Sequence, residues 1–133
     1  MTNKVLAIDY GRERVGLAVA SQGVPRGLQT LTNDADIMDR LAAAVDAQEA
    51  RVVVLGLPRT SDGNDTAWTG EVRRFAEALA RAVKVPVTLQ DEFATTAEAK
   101  ARLTSRKLSA GEQKALVDQE AAVILLEEYL SAL

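Results

Sequence analysis

Neither cysteine nor histidine occurs anywhere in the 133 residues of this chain. Their joint absence excludes a disulfide framework, a thiol nucleophile, a serine-histidine-aspartate triad and the usual nitrogen or sulfur zinc sites. What remains is carboxylate chemistry with a hard cation, or Lys, Tyr, Ser and Thr acting without imidazole. Aromatic residues are scarce at 4%, and Trp68 is the only tryptophan, so no platform for stacked bases is evident; an early helical position favours packing for Trp68. No apolar run is long enough to span a bilayer and no signal-peptide h-region is apparent, so no membrane role and a cytoplasmic location are expected. Excess positive charge is lacking too. A net charge of -3 and a pI near 5.0 argue against a nonspecific nucleic-acid coat, although local clusters of arginine can still meet phosphates.

The 47% hydrophobic content suits one globular domain spanning residues 1–133. Val5 to Ile8 is too short for a helix and rich in β-branched residues, and Val15 to Ala20 is a second strand-like run. A loop from Ser21 to Arg26 leads to a short third strand, Gly27–Leu31, giving an antiparallel meander. Asn33 or Asp34 can cap a helix carrying Ile37, Leu41, Ala44 and Val45 on one face. Arg51 to Gly56 reads as a fully buried strand, and Val72, Phe75, Ala76, Leu79 and Val83 form the stripe of a second helix. A strand over Val85–Leu89 follows, with Pro86 at its start. Thr-x-x-Glu and Ser-x-x-Glu capping boxes at Thr95/Glu98 and Ser109/Glu112 begin two more helices. The order β-β-β-α-β-α-β-α-α specifies an α/β fold, a mixed five-stranded sheet with helices on both faces.

Three places hold acids that surface packing explains poorly. Asp9 ends the first strand and Gly11 turns the chain behind it, which holds a carboxylate at the rim of the sheet. Asp91 and Glu92 follow the last strand, at the carboxyl edge where open α/β sheets place their ligands. Asp118 shares a helical face with Ala121, Ala122, Leu125, Leu126 and Tyr129, and an acid on an apolar stripe is costly unless it is paired or binds a cation. Acids gathered in this way suit Mg2+ or Mn2+, which take oxygen ligands while leaving room for phosphate and water. The bland alternatives are turn-amide acceptance at Asp9, a solvated strand end at Asp91 and Glu92, and a frayed helix at Asp118.

Two polar segments are candidate phosphate contacts. In Gly56-Leu-Pro-Arg-Thr-Ser-Asp-Gly63 the loop amides, Arg59, Thr60 and Ser61 are available, or the segment is a plain connection with an Asp62-Gly63 turn. Arg102-Leu-Thr-Ser-Arg-Lys107 is a basic connection or a solvated hinge.

Ile8-Asp-Tyr-Gly11 with Arg14-Val-Gly-Leu-Ala-Val19, Gly56-Leu-Pro58 with Asp62-Gly63, Val72-Arg-Arg-Phe-Ala76, Asp91-Glu92 with Thr95-Thr96, and Val117-Asp-Gln-Glu-Ala-Ala122 together resemble the YqgF/RuvX family of RNase H-like nucleases. The resemblance covers nearly the whole chain. It implies an RNase H-like fold and a divalent-metal endonuclease acting on four-way DNA junctions (Holliday junction resolution) or on the 5′ end of pre-16S ribosomal RNA. By motif position it puts the catalytic and metal-binding acids at Asp9, Glu92 and Asp118. Arg14, Arg59, Thr60, Arg106 and Lys107 are the expected substrate contacts. A homodimer is expected for junction resolution, since paired nicks need two sites related by a dyad. The chain departs from the family in two places: Phe93-Ala94 stand where it usually has Arg-Leu, and Glu13 where it usually has a basic residue. Two other readings share the fold. One is a sugar kinase or actin-like ATPase, which needs a second such domain; the other is a noncatalytic RNA- or protein-binding module.

Overall fold

Alternation of large and small apolar residues along the strands decides which face each helix covers. The computed structural model describes residues 3–92, 95–104, 106 and 109–133, with side chains for all of these except 95, 96 and 115. In chain order its elements are β1 (Val5–Tyr10), β2 (Arg14–Ser21), β3 (Val24–Thr32), α1 (Ile37–Gln48), β4 (Val52–Pro58), α2 (Ala67–Ala82), β5 (Val87–Glu92), α3 (Thr95–Thr104) and α4 (Ala110–Ser131). The expected order of elements is borne out. The strands form one sheet in the order β3-β2-β1-β4-β5, in which β1, β2 and β3 pair antiparallel while β4 and β5 extend it in parallel.

Leu6, Ile8, Val15, Leu17, Val53 and Leu55 point to the face covered by α1 and α2, the larger of the two sheet cores. The opposite positions, Ala7, Ala18, Ala20 and Val54, are mostly small and lie under Ala122, Leu125 and Leu126 of α4. Small strand residues allow the long helix to approach the sheet closely. The back of α4 is apolar as well: Val117, Ala121 and Ile124 pack against Ala99 and Leu103 of α3, which lies outside α4 and not on the sheet. Arg102 fastens that outer layer by bonding both carboxylate oxygens of Glu127, at 3.2 and 2.7 Å, with Glu98 and Glu120 within 4 Å.

Several boundaries differ from the sequence reading. The third strand begins at Val24, because Gln22 and Gly23 make a two-residue hairpin turn with both φ positive, at 53° and 78°. As an exposed edge strand, β3 lacks the apolar alternation that would have extended the reading. Neither Asn33 nor Asp34 caps α1: the N-cap is Asp36, and the Asp34 carboxylate accepts from the Asp36 amide at 3.0 Å. Asn33 instead donates to the Gly11 carbonyl at 2.7 Å. The fifth strand runs Val87–Glu92 and not Val85–Leu89; Pro86 precedes it and its carbonyl accepts from Val53. The box at Ser109 and Glu112 is present, whereas the box at Thr95 rests on a side chain outside the described residues. A further cap, Thr66 with Thr69, starts α2, and the buried Thr69 hydroxyl also donates to the Pro58 carbonyl.

Candidate active site

Backbone register brings the first acid to its place. The residue paired with Asp9 across β1 and β2 is Gly16, and one step beyond the β1–β4 pair Ile8–Leu55 lie Asp9 and Gly56. Asp9 therefore stands on the α4 face with a glycine on each side. Those two gaps are filled from elsewhere. A Cβ placed on Gly16 would collide with the backbone carbonyl of Asp118 and lie 2.7 Å from its Cβ. A Cβ on Gly56 would lie 2.5 Å from Oε2 of Glu92 and 2.9 Å from Cδ1 of Leu125. The missing side chains are what admit Asp118 from the helix above and Glu92 from the neighbouring strand. Around Asp9 the turn is pinned as well, since the Gly11 amide donates to the Arg14 carbonyl at 3.0 Å and Asn33 holds Gly11.

The electrostatics record the crowding. Burial, the nearby charge of Glu92, a side-chain hydrogen bond with Glu92 and the charge of Asp118 together push the Asp9 carboxyl well above the usual aspartate range. Asp118 has a cationic neighbour, because Arg14 Nε donates to its Oδ2 at 2.8 Å, and this pairing holds the Arg14 guanidinium in its charged form. Glu13 lies 3.6 Å from Arg14. Among the described residues no three acids are already closed around a metal position. The donor set nevertheless fits a hard divalent ion: it is all oxygen, and a bound cation would offset the burial and the neighbouring negative charges that raise the Asp9 pKa.

The remaining candidates separate. Asp91 and Glu92 do not follow β5 but end it, so they point to opposite faces. Only Glu92 reaches Asp9; Asp91 is held by Arg59 Nη1 at 3.2 Å on the other side. Arg59 also lies 3.0 Å from Asp65, and Thr60 closes its own loop by accepting from the Asn64 amide at 3.1 Å. Arg106 is exposed in the α3–α4 turn, and Lys107 and the departure at Phe93-Ala94 lie outside the described residues. Trp68 packs as the sequence favours: Tyr10 stacks between it and Phe75, with centroids 5.7 and 3.9 Å away, and Arg12 lies over its ring at 4.1 Å. Gly16 and Gly56 are the positions that the sequence reading missed. Glycine inside an otherwise apolar strand was the available signal, because it marks a close approach.

Comparison with known proteins gives concordant results. The family profile described as "RuvX: Holliday junction resolvase" matches residues 3–132. A candidate pre-16S rRNA nuclease of Nitratidesulfovibrio vulgaris is 38% identical over 132 residues, covering 96% of this chain and 93% of that protein. One of the same description from Anaeromyxobacter is 40% identical, covering 96% of each. Among solved structures, Thermus thermophilus RuvC in complex with a Holliday junction substrate superposes with a TM-score of 0.60 at 18% identity, covering 97% of this chain and 95% of that one. The fowlpox virus resolvase bound to Holliday junction DNA gives 0.61 at 11% identity, covering 97% of each. These two share the fold, a mixed sheet of the RNase H type. Among the described residues no helix is long and apolar enough to cross a membrane.

Proposed function

Because the chain belongs to the RuvX family of Holliday junction resolvases and so is a phosphodiester-hydrolysing nuclease, we propose that Asp9, Glu92 and Asp118 are its catalytic acids and hold Mg2+ or Mn2+. The observation that carries this reading is the pair of glycine gaps flanking Asp9, each filled by one of the other two acids. Three carboxylates from three elements converge at the cost of a raised Asp9 pKa, a cost that a packing role does not require. When bound, the cation supplies charge stabilisation at the phosphate and an activated water. The chain does the positioning. Asp9 sits on a central strand whose backbone is fixed on both sides, Glu92 closes the site from β5, and Asp118 is aimed by the close contact of α4 with Gly16.

Arg14, beside Asp118, presents a guanidinium to a phosphate oxygen, and Arg59, Thr60, Arg106 and Lys107 are the further substrate contacts in this proposal. For Arg59 that role requires release from Asp65 and Asp91. Without an aromatic platform or a recognition helix, the protein reads backbone shape and not base identity. Its substrates are branched DNA, the 5′ end of a precursor of 16S ribosomal RNA, or both. It acts in the cytoplasm, and on a four-way junction it works as a twofold dimer. The test is cleavage of a four-way DNA junction, a precursor ribosomal RNA end and a linear duplex side by side, with sedimentation of the junction complex. Preference for either structured substrate over the duplex is expected. Equal cutting of all three contradicts shape selectivity, and paired nicks from a strictly monomeric complex contradict the dimer.

A further inference from the structure

A groove of about 570 Å3 runs from Asp118 outward between α3 and the first turns of α4. Its polar lining is Arg14, Lys100, Thr104, Gln113, Lys114 and Asp118. Three of these six are cationic, in a chain whose net charge is -3. Helical spacing organises them. Lys114 precedes Asp118 by one turn of α4, about 6 Å along the axis, and Lys100 precedes Thr104 by one turn of α3, so each helix contributes one lysine to the lining of the cleft. The neighbouring acids are otherwise engaged: Glu98, Glu120 and Glu127 surround Arg102, and Glu112 caps α4 through the Ser109 amide at 3.2 Å. Neither lysine has an ion-pair partner among the described residues. The Thr104 hydroxyl bonds the Lys100 carbonyl, so the α3 wall keeps its turn at this point.

Unpaired cations in a groove continuous with a carboxylate site select an extended polyanion that passes the acids and continues beyond them. We propose that this groove holds the phosphodiester backbone of the nucleic-acid strand on one side of the cleaved bond, with Lys100 and Lys114 on consecutive phosphates and Gln113 beside them. This rests on the nuclease reading and adds a binding track that none of the catalytic acids supplies. Lysine ammoniums bind phosphate as point charges and not in a fixed plane, so the track accepts DNA and RNA backbones alike. Selectivity between the two has to come from elsewhere on the surface.

Binding and cutting are separable, and the test uses both. Equilibrium binding of a four-way DNA junction and of a precursor ribosomal RNA end is measured in Ca2+ between about 50 and 200 mM salt, for the wild type, the double variant Lys100→Ala/Lys114→Ala, and a control double variant Arg81→Ala/Lys84→Ala beyond the groove. Each phosphate contact contributes about 0.9 to the slope of log K against log salt on duplex and about 0.7 on single strands. Loss of two contacts is expected to flatten the slope by about 1.8 on the junction and about 1.4 on single-stranded RNA, with binding weaker by tenfold or more at low salt. The control should keep the wild-type slope. Both lysines are exposed, so the variants are expected to fold, which melting curves check. A wild type that cuts in Mg2+ or Mn2+ while the Lys100/Lys114 variant keeps the full slope overturns the groove alone. A wild type that neither binds nor cuts either substrate overturns the nuclease reading, and the groove with it.

Discussion

Adding one methyl group at Gly16 and one at Gly56 should have very unequal effects on stability and the same effect on activity. At Gly16 the new Cβ would run into the backbone carbonyl of Asp118, with the Asp118 Cβ at 2.7 Å, and no side-chain rotation clears backbone atoms. Relief requires the whole of α4 to lift from β2, where it packs over Ala18 and Ala20. Overpacking typically costs about 1 to 3 kcal/mol, and an immovable partner puts this case at about 3 kcal/mol or above. For a domain of this size that corresponds to a fall in Tm of roughly 10 °C. At Gly56 the methyl meets the tip of Glu92 at 2.5 Å and a Leu125 methyl at 2.9 Å, both at the ends of flexible side chains. The intrinsic gain of alanine over glycine in a strand, about 0.5 to 1 kcal/mol, offsets much of the strain, so Tm should stay within roughly 4 °C of wild type. The Glu92 carboxylate nevertheless has to leave its position beside Asp9. Both variants should therefore lose cleavage, Gly16→Ala with a large loss of stability and Gly56→Ala with little. The assay is a thermal melt alongside divalent-dependent cleavage. A Gly16→Ala protein with wild-type Tm and activity would refute the close approach of α4 on which the site depends.

Other consequences follow from the same contacts. Asp9 has a raised carboxyl pKa in the folded state, so its native form binds a proton that the unfolded chain releases near pH 4. Without divalent ion, the stability contributed by this proton is accordingly full below that pH and is lost as pH rises through the elevated value, and Asp9→Asn should flatten that part of the Tm profile; parallel profiles would exclude the burial of an acid here. Arg102→Ala removes the tie from α3 to Glu127 and its neighbours, and since the guanidinium is partly exposed the loss should be about 1 kcal/mol, smaller in high salt, by denaturant titration. Ser109→Ala deletes a working capping box and should lower stability by about 1 kcal/mol, an effect that a melt resolves as roughly 3 to 4 °C.

Apolar patterning made the order of strands and the first two helices legible, because buried strands and one-sided helices leave periods that survive in the sequence, while capping-box spacing marked the last two helices. Asp118 was legible for the same reason: an acid on the apolar stripe of α4 is conspicuous. A strand ending at Leu89, as the apolar pattern predicts, leaves Asp91 and Glu92 indistinguishable. Its true end at Glu92 puts them on opposite faces, and the half-buried edge strand β5 turns polar from Gln90 onward, so no apolar signal marks that end. The edge strand β3 was shortened for the same cause. The pairing of Asp118 with Arg14 and the engagement of Arg59 by Asp65 and Asp91 join residues far apart in the chain, and no local pattern encodes them.

The central claim is that three acids share one cation-dependent phosphodiester site. Its most direct measurement is cleavage of a four-way DNA junction and a precursor ribosomal RNA end by the wild type, Asp9→Asn, Glu92→Gln and Asp118→Asn, with Mg2+, with Mn2+ and with chelator. Cleavage by the wild type with either ion, none with chelator, and losses of a hundredfold or more in each folded variant are expected, since removal of electrostatic support of this kind commonly costs about 3 kcal/mol of transition-state stabilisation. Wild-type rates in all three variants, or undiminished cutting in chelator, would contradict it.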